Sequence, residues 1–155
     1  MTLDEFIQLP PQEIIKGLDS YQQDIINVIL DRTNNNYLEA ADKWLIASPS
    51  NTAKFGGDSS HSAIYRDKIV LEVERFLCGN DPVYEKERRE LQLNSDKTQQ
   101  YIIGVLSTAI GSQLGVVGTF ISPVIVLIII SMGKMCINAW CEMRKEIRKE
   151  NEHEK

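Results

Sequence analysis

The stretch Leu114-Gly-Val-Val-Gly-Thr-Phe-Ile-Ser-Pro-Val-Ile-Val-Leu-Ile-Ile-Ile-Ser-Met132 decides how this chain is read. It lies within residues 98–133, where 36 consecutive positions carry no Asp, Glu, Lys, Arg or His. Such a run exceeds the roughly 18 apolar residues at which a membrane-spanning helix is the first expectation. As a single helix it would reach about 54 Å, at about 1.5 Å per residue, against a hydrocarbon core about 30 Å thick. The run must therefore break. The sequence places the break at Gly115–Pro123, because Gly115 and Gly118 permit a turn and Pro123 suits the first turn of a new helix with Ser122 as N-cap. The expectation is a helical hairpin with arms of about Lys97–Leu114 and Pro123–Cys141.

The flanking charges agree with a hairpin. Lys86, Arg88, Arg89 and Lys97 before it match Arg144, Lys145, Arg148 and Lys149 after it. A positive-inside bias then puts both termini on the cytoplasmic side of an inner membrane, or leaves the whole chain cytoplasmic before insertion. Lys134 lies close enough to the basic end to snorkel there rather than cost about 3 kcal/mol at mid-bilayer. Trp140 falls where an interfacial aromatic belongs.

The two arms differ in character. In the first, Ser107, Gly111 and Gly115 recur at a spacing of four, with Gly104, Thr108 and Ser112 as a parallel row. Such small-residue surfaces let helices approach closely in lipid. The second, centred on Ile128, is aliphatic on every side. This contrast implies two partners, a lipid membrane and further copies of the same chain. The alternative is a soluble all-α adaptor or oligomeric scaffold whose hairpin is a buried core or interface.

Outside the run the pattern is helical and polar. Residues 1–97 carry a net charge of −6 and residues 98–155 a net charge of +1. An acidic N-terminal part excludes a broad nucleic-acid-binding face there. A short turn of helix ends at Pro10-Pro11, and an amphipathic helix over Gln12–Arg32 presents Ile14, Leu18, Tyr21, Ile25 and Val28 or Ile29. Further helices are expected at Tyr37–Ala47, anchored by Trp44, and at His61–Leu77, where Ile64 or Tyr65, Ile69, Val73 and Phe76 face inward. Asp81-Pro82 starts another, whose charged continuation over Tyr84–Leu93 reads as exposed. After the hairpin, Met135–Ile147 continues the second arm as one long helix into a charged end.

The fold class is therefore all-α. It divides into an acidic helical domain (1–97), an apolar and transmembrane hairpin (98–141) and a charged C-terminal helix end (142–155).

The loop over residues 48–60 is the only recognition candidate. Lys54 with the Gly56-Gly57 backbone could meet a small anionic ligand at the next helix start, or the loop could contact a regulatory protein, although Asp58 would repel a phosphate. Cys78, Cys136 and Cys141 are an odd number without disulfide or zinc spacing and read as free, reduced thiols. No basic region followed by an apolar run marks a cleaved signal peptide. His61 and His153 are isolated, and the carboxylates, Glu72 and Glu74 among them, fall on polar helix faces. No catalytic centre, metal site or cofactor is expected.

This arrangement, an apolar hairpin over 98–141 among amphipathic helices, resembles colicin-type pore-forming domains. It is also similar to small membrane effectors of bacterial antiviral systems, in which a soluble part controls a few membrane helices. The resemblance is architectural and implies a self-assembling chain that permeabilises or depolarises a membrane. It carries no functional residue to a position of this sequence.

Overall fold

A helix with no polar face must be covered all round, and the computed structural model is built on that requirement. It describes residues 1–47, 59–79, 81–93, 96–133 and 135–153, with the backbone alone at 59–61, 152 and 153. The elements are α1 (Leu3–Ile7), α2 (Pro11–Ile15), α3 (Ser20–Arg32), α4 (Tyr37–Ala47), α5 (Ser59–Leu77), a 3-10 turn (Pro82–Tyr84) running into α6 (Glu85–Leu93), α7 (Gln99–Leu114), α8 (Gly118–Ser131) and α9 (Ile137–His153). The protein is all-α, with no strand among the described residues.

In α8, every residue from Phe120 to Ile130 is buried. α7 packs most closely against it, while α4, α5 and α2 supply the other walls. One apolar core runs from Leu3 to Cys141. The boundaries expected at 97/98 and 141/142 therefore do not separate the packing. The hairpin's second arm is the centre around which residues of the N-terminal part are wrapped.

Local chemistry sets several helix starts. Thr98 caps α7 by accepting from the Tyr101 N–H at 3.1 Å, Asn36 caps α4 through Glu39 N–H at 3.1 Å, and Asp81 accepts from Val83 N–H at 3.0 Å. Pro11 occupies the first position of α2, where no N–H is needed.

The expected helix over 12–32 is broken into α2 and α3. Gly17 sits at the break, where an added Cβ would lie 2.5 Å from Ile103 Cδ1. The break re-phases α3, so its buried face is Gln22, Ile26 and Leu30, and Tyr21, Ile25 and Val28 are exposed. Nor does α9 extend α8: Gly133, at φ 68°, turns the chain before α9 starts.

Several charged groups read as solvated are buried. Arg88 caps the end of α5, its guanidinium donating to the carbonyls of Phe76 at 2.7 Å, Gly79 at 3.2 Å and Asp81 at 3.1 Å. Glu72 accepts from the Tyr84 hydroxyl at 2.5 Å and pairs with Arg75 at 2.8 Å. Glu74, only 3% exposed, pairs with Arg144 at 2.9 Å and with Arg148, tying α9 to α5. Burial, followed by the neighbouring Glu72, pushes the Tyr84 phenol well above its usual range, and burial pushes Tyr65 up to about 12. Glu72, Glu74 and Arg88 each found a partner on another element, which a one-helix pattern does not show.

The cysteines depart from the expectation of three free thiols. Cys78 and Cys141 form a disulfide across 63 residues, and Cys136 is free and exposed. The pairing follows from α9 lying against the end of α5, a tertiary arrangement that cysteine spacing does not encode.

Gln22 carries the testable part of this packing. Its Nε2 donates to the Thr119 carbonyl at 2.8 Å while its Oε1 accepts from the Asp19 N–H at 3.4 Å. Gln22→Leu keeps bulk but leaves that carbonyl without a donor, and it should cost about 1–3 kcal/mol in urea unfolding. A midpoint equal to that of the unsubstituted chain would remove Gln22 from the account of α8.

Candidate functional site: a sheathed apolar helix pair

The bend between α7 and α8 is made by three residues, Gly115-Val116-Val117, rather than the nine expected. Gly115 ends α7 in the left-handed region at φ 73°, with its N–H bonded to the Gly111 carbonyl. The Val116 N–H donates to that same oxygen at 2.9 Å. α8 then starts at Gly118, so Pro123 lies inside the helix and Ser122 is not its cap.

An interior proline has no N–H for the carbonyl four residues back, which here is Thr119. Gln22 of α3 supplies the missing donor. One residue on, the Phe120 carbonyl accepts the Trp44 indole N–H of α4 at 2.8 Å, a buried bond. Two sheath helices thus hold the proline-containing turn of α8 through its backbone. Trp44 was legible as an anchor. Gln22 was not, although an interior reading of Pro123 would have called for one donor near Thr119.

The small residues of α7 divide into two sets. Ser107 and Gly111 face α8, where an added Cβ on Gly118 would meet the Ser107 backbone at 3.0 Å and one on Gly111 would meet the Val116 carbonyl at 2.7 Å. The Ser122 hydroxyl lies 2.8 Å from that of Ser107 and 3.0 Å from the Gly118 carbonyl, so these buried polar groups satisfy one another. Gly104, Thr108 and Ser112 point outward, and Gly104 has open space around its missing side chain. The row anticipated as a close-approach surface is thus used within the chain at Ser107 and Gly111, while the parallel row faces solvent.

The remaining sequence-derived positions fall as follows. Ile128 is buried at 1% exposure in the centre of α8. Trp140 is 5% exposed, packed into the core from α9. Lys54, Gly56, Gly57 and Lys134 lie outside the described residues.

Direction and length limit what the pair can do as folded. The chain turns by 113° between α7 and α8, so the arms form an open V instead of an antiparallel hairpin. Their 16 and 14 residues give lengths of about 24 and 21 Å. Among the described residues no single helix is long and apolar enough to cross a membrane, and this bent pair is the one combination that reaches the necessary apolar length. At the far end of α8, a cavity of about 500 Å³ opens between Ile130, Gly133, Ile14, Tyr37 and the Pro10-Pro11 link.

No protein-family model, curated protein or solved structure matches this chain.

The two sets of glycines should respond oppositely to alanine. Gly104→Ala adds a helix-favouring methyl group in open space and should stabilise by about 0.5–1 kcal/mol. Gly111→Ala and Gly118→Ala press a methyl group onto helix backbone and should destabilise by about 1–3 kcal/mol. Thermal and urea unfolding of the three variants measure both signs; a neutral Gly118→Ala would contradict the close approach of α7 to α8.

Proposed function

We propose that this chain is a membrane-active effector that stores its uncharged helix pair in a helical sheath and exchanges that sheath for lipid. Inserted and assembled with further copies, the pair permeabilises or depolarises the membrane. The observation supporting this reading is the outer face of α7. A helix that serves only as core needs an uncharged inward stripe and ordinarily solvates its outer face with ionised side chains. In α7 the outward residues Gln100, Tyr101, Gly104, Thr108, Ser112 and Gln113 are exposed and carry no charge. That face suits lipid or a second copy better than it suits water.

The energetics favour such an exchange being reversible and controllable. α8 is surrounded by apolar groups in the folded chain and would be so again among acyl chains, so its hydrophobic contribution changes little. The balance then rests on how the inward apolar faces of α2, α4 and α5 are covered again and on the polar ties. The Thr119 carbonyl loses Gln22 on release and must find a partner at the interface or in a neighbouring protomer, since hydrocarbon supplies none, while the Phe120 carbonyl loses the Trp44 bond but keeps its helical donor. Growth of α8 through Met132 toward α9 would give the about 20 residues that a span needs. The outward row of Gly104, Thr108 and Ser112 is the natural surface for assembly in lipid. Both termini then remain on the cytoplasmic side, and a regulatory protein or small anionic ligand sets the timing. The architectural resemblance noted above makes bacterial antiviral defence the setting proposed.

A second reading is a soluble all-α adaptor or oligomeric scaffold. It is favoured by the burial of every residue from Phe120 to Ile130 and by arms of about 24 and 21 Å against a core about 30 Å thick.

Ile128 is a poor place to separate these readings, because a carboxylate there would be buried in the folded protein and would disrupt it. Thr108 is exposed and separates them cleanly. Thr108→Lys should leave the melting temperature unchanged, yet cost about 3 kcal/mol in hydrocarbon and so lower dye release from phosphatidylethanolamine–phosphatidylglycerol vesicles about 100-fold. Equal release by both proteins would contradict insertion of α7. Absence of binding and release by the unsubstituted chain would leave the scaffold reading.

A further inference from the structure

All three cysteines of the chain gather at one junction, where the end of α5 meets the start of α9. We propose that Cys78, Cys136 and Cys141 form a thiol–disulfide exchange site whose co-reactant is a low-molecular-weight thiol of the glutathione class. The proposal does not depend on whether the chain meets lipid.

Access supports this chemistry. Cys78 is partly exposed and borders two cavities, one of about 550 Å³ shared with Cys136 and one of about 490 Å³ shared with Cys141. Cys136 is exposed and free, and Cys141 is 9% exposed. An incoming thiolate therefore reaches Cys78 more readily than Cys141. A free thiol stands on the wall of the cavity from which Cys78 is approached.

The steps balance. The small-molecule thiolate attacks Cys78 Sγ, the bond to Cys141 breaks, and Cys141 leaves as a thiolate that takes a proton from solvent. Cys78 is then held in a mixed disulfide. The Cys136 thiolate attacks Cys78 Sγ in turn and expels the small thiolate. The net change is a Cys78–Cys136 disulfide and a Cys141 thiol, with no electron gained or lost and the small thiol returned. If instead a second small thiol attacks the first one's sulfur, two small thiols become their disulfide, and Cys78 and Cys141 are left reduced while Cys136 remains a thiol.

The exchange matters because of what it releases. Cys141 pins the second turn of α9 to α5, whereas Cys136 lies in the link before α9 begins. Once the tether moves to Cys136, α9 keeps only the buried Trp140 and the Glu74 pairs with Arg144 and Arg148 as its main attachments. Most of its remaining described side chains are exposed. α9 is thus a strap whose covalent pin can be withdrawn without unfolding the core.

The experiment treats the full, folded chain with reduced glutathione, quenches by alkylation and maps cysteine-containing peptides by mass spectrometry. The expected products are a Cys78–Cys136 linked peptide with alkylated Cys141, preceded by glutathione on Cys78. Cys136→Ser, an exposed substitution whose folding is checked by circular dichroism, should lose the linked peptide and accumulate the mixed disulfide. Three results would overturn the proposal. These are a Cys78–Cys141 bond that opens only in parallel with urea unfolding, a mixed disulfide of equal lifetime in both proteins, and freshly folded protein with no Cys78–Cys141 bond.

Discussion

Pro123 sits inside an aliphatic helix, and most of the architecture follows from making that tolerable. The proline leaves the Thr119 carbonyl without its helical donor, and Ser122, the one polar side chain from Phe120 to Ile130, is bonded instead to Ser107 and the Gly118 carbonyl. A buried carbonyl left alone costs about 1–3 kcal/mol. Gln22 and Trp44 bring donors from α3 and α4, which fixes where those helices lie along α8. α7 completes the enclosure by approaching so closely that Gly111 and Gly118 have no room for a side chain. The sheath is therefore positioned by backbone polar demands, while apolar burial supplies its driving force.

Much of this was legible in the sequence, and the parts that were not share a cause. The uncharged run, its break at Gly115, the cap at Asp81, the anchor Trp44 of α4 and the inward positions of α5 depend on residues close in sequence, and the pattern shows them. Burial of Glu72, Glu74 and Arg88 depends on partners contributed by other elements, so a single-helix pattern assigns them to solvent. The inward face of α3 departs from its apolar pattern for the same reason. Tyr21, Ile25 and Val28 make the better apolar stripe, but the break at Gly17 and the demand of the Thr119 carbonyl turn Gln22 inward instead. Pro123 suits the first turn of a helix, yet α8 begins five residues earlier, where Gly118 packs on the Ser107 backbone. The Cys78–Cys141 bond joins positions that only the docking of α9 on α5 makes neighbours.

The functional proposal turns on one asymmetry. α8 would be content in any apolar surroundings, whether protein or acyl chain, so its composition alone does not distinguish a core helix from a stored membrane helix. α7 is more informative, because it meets water along one side without using charge to do so. Together they make a pair whose protein surroundings could be replaced by lipid provided that the inward apolar faces of α2, α4 and α5 are covered again.

Hydrogen exchange read by mass spectrometry, with and without phosphatidylglycerol-containing vesicles, tests the central claim most directly. In water, peptides covering residues 121–130 should exchange only through global unfolding. With vesicles, the account predicts that these residues stay protected while α3 and α4 lose protection, because α8 has traded their cover for lipid. Vesicles that leave the exchange of all three helices unchanged would contradict it.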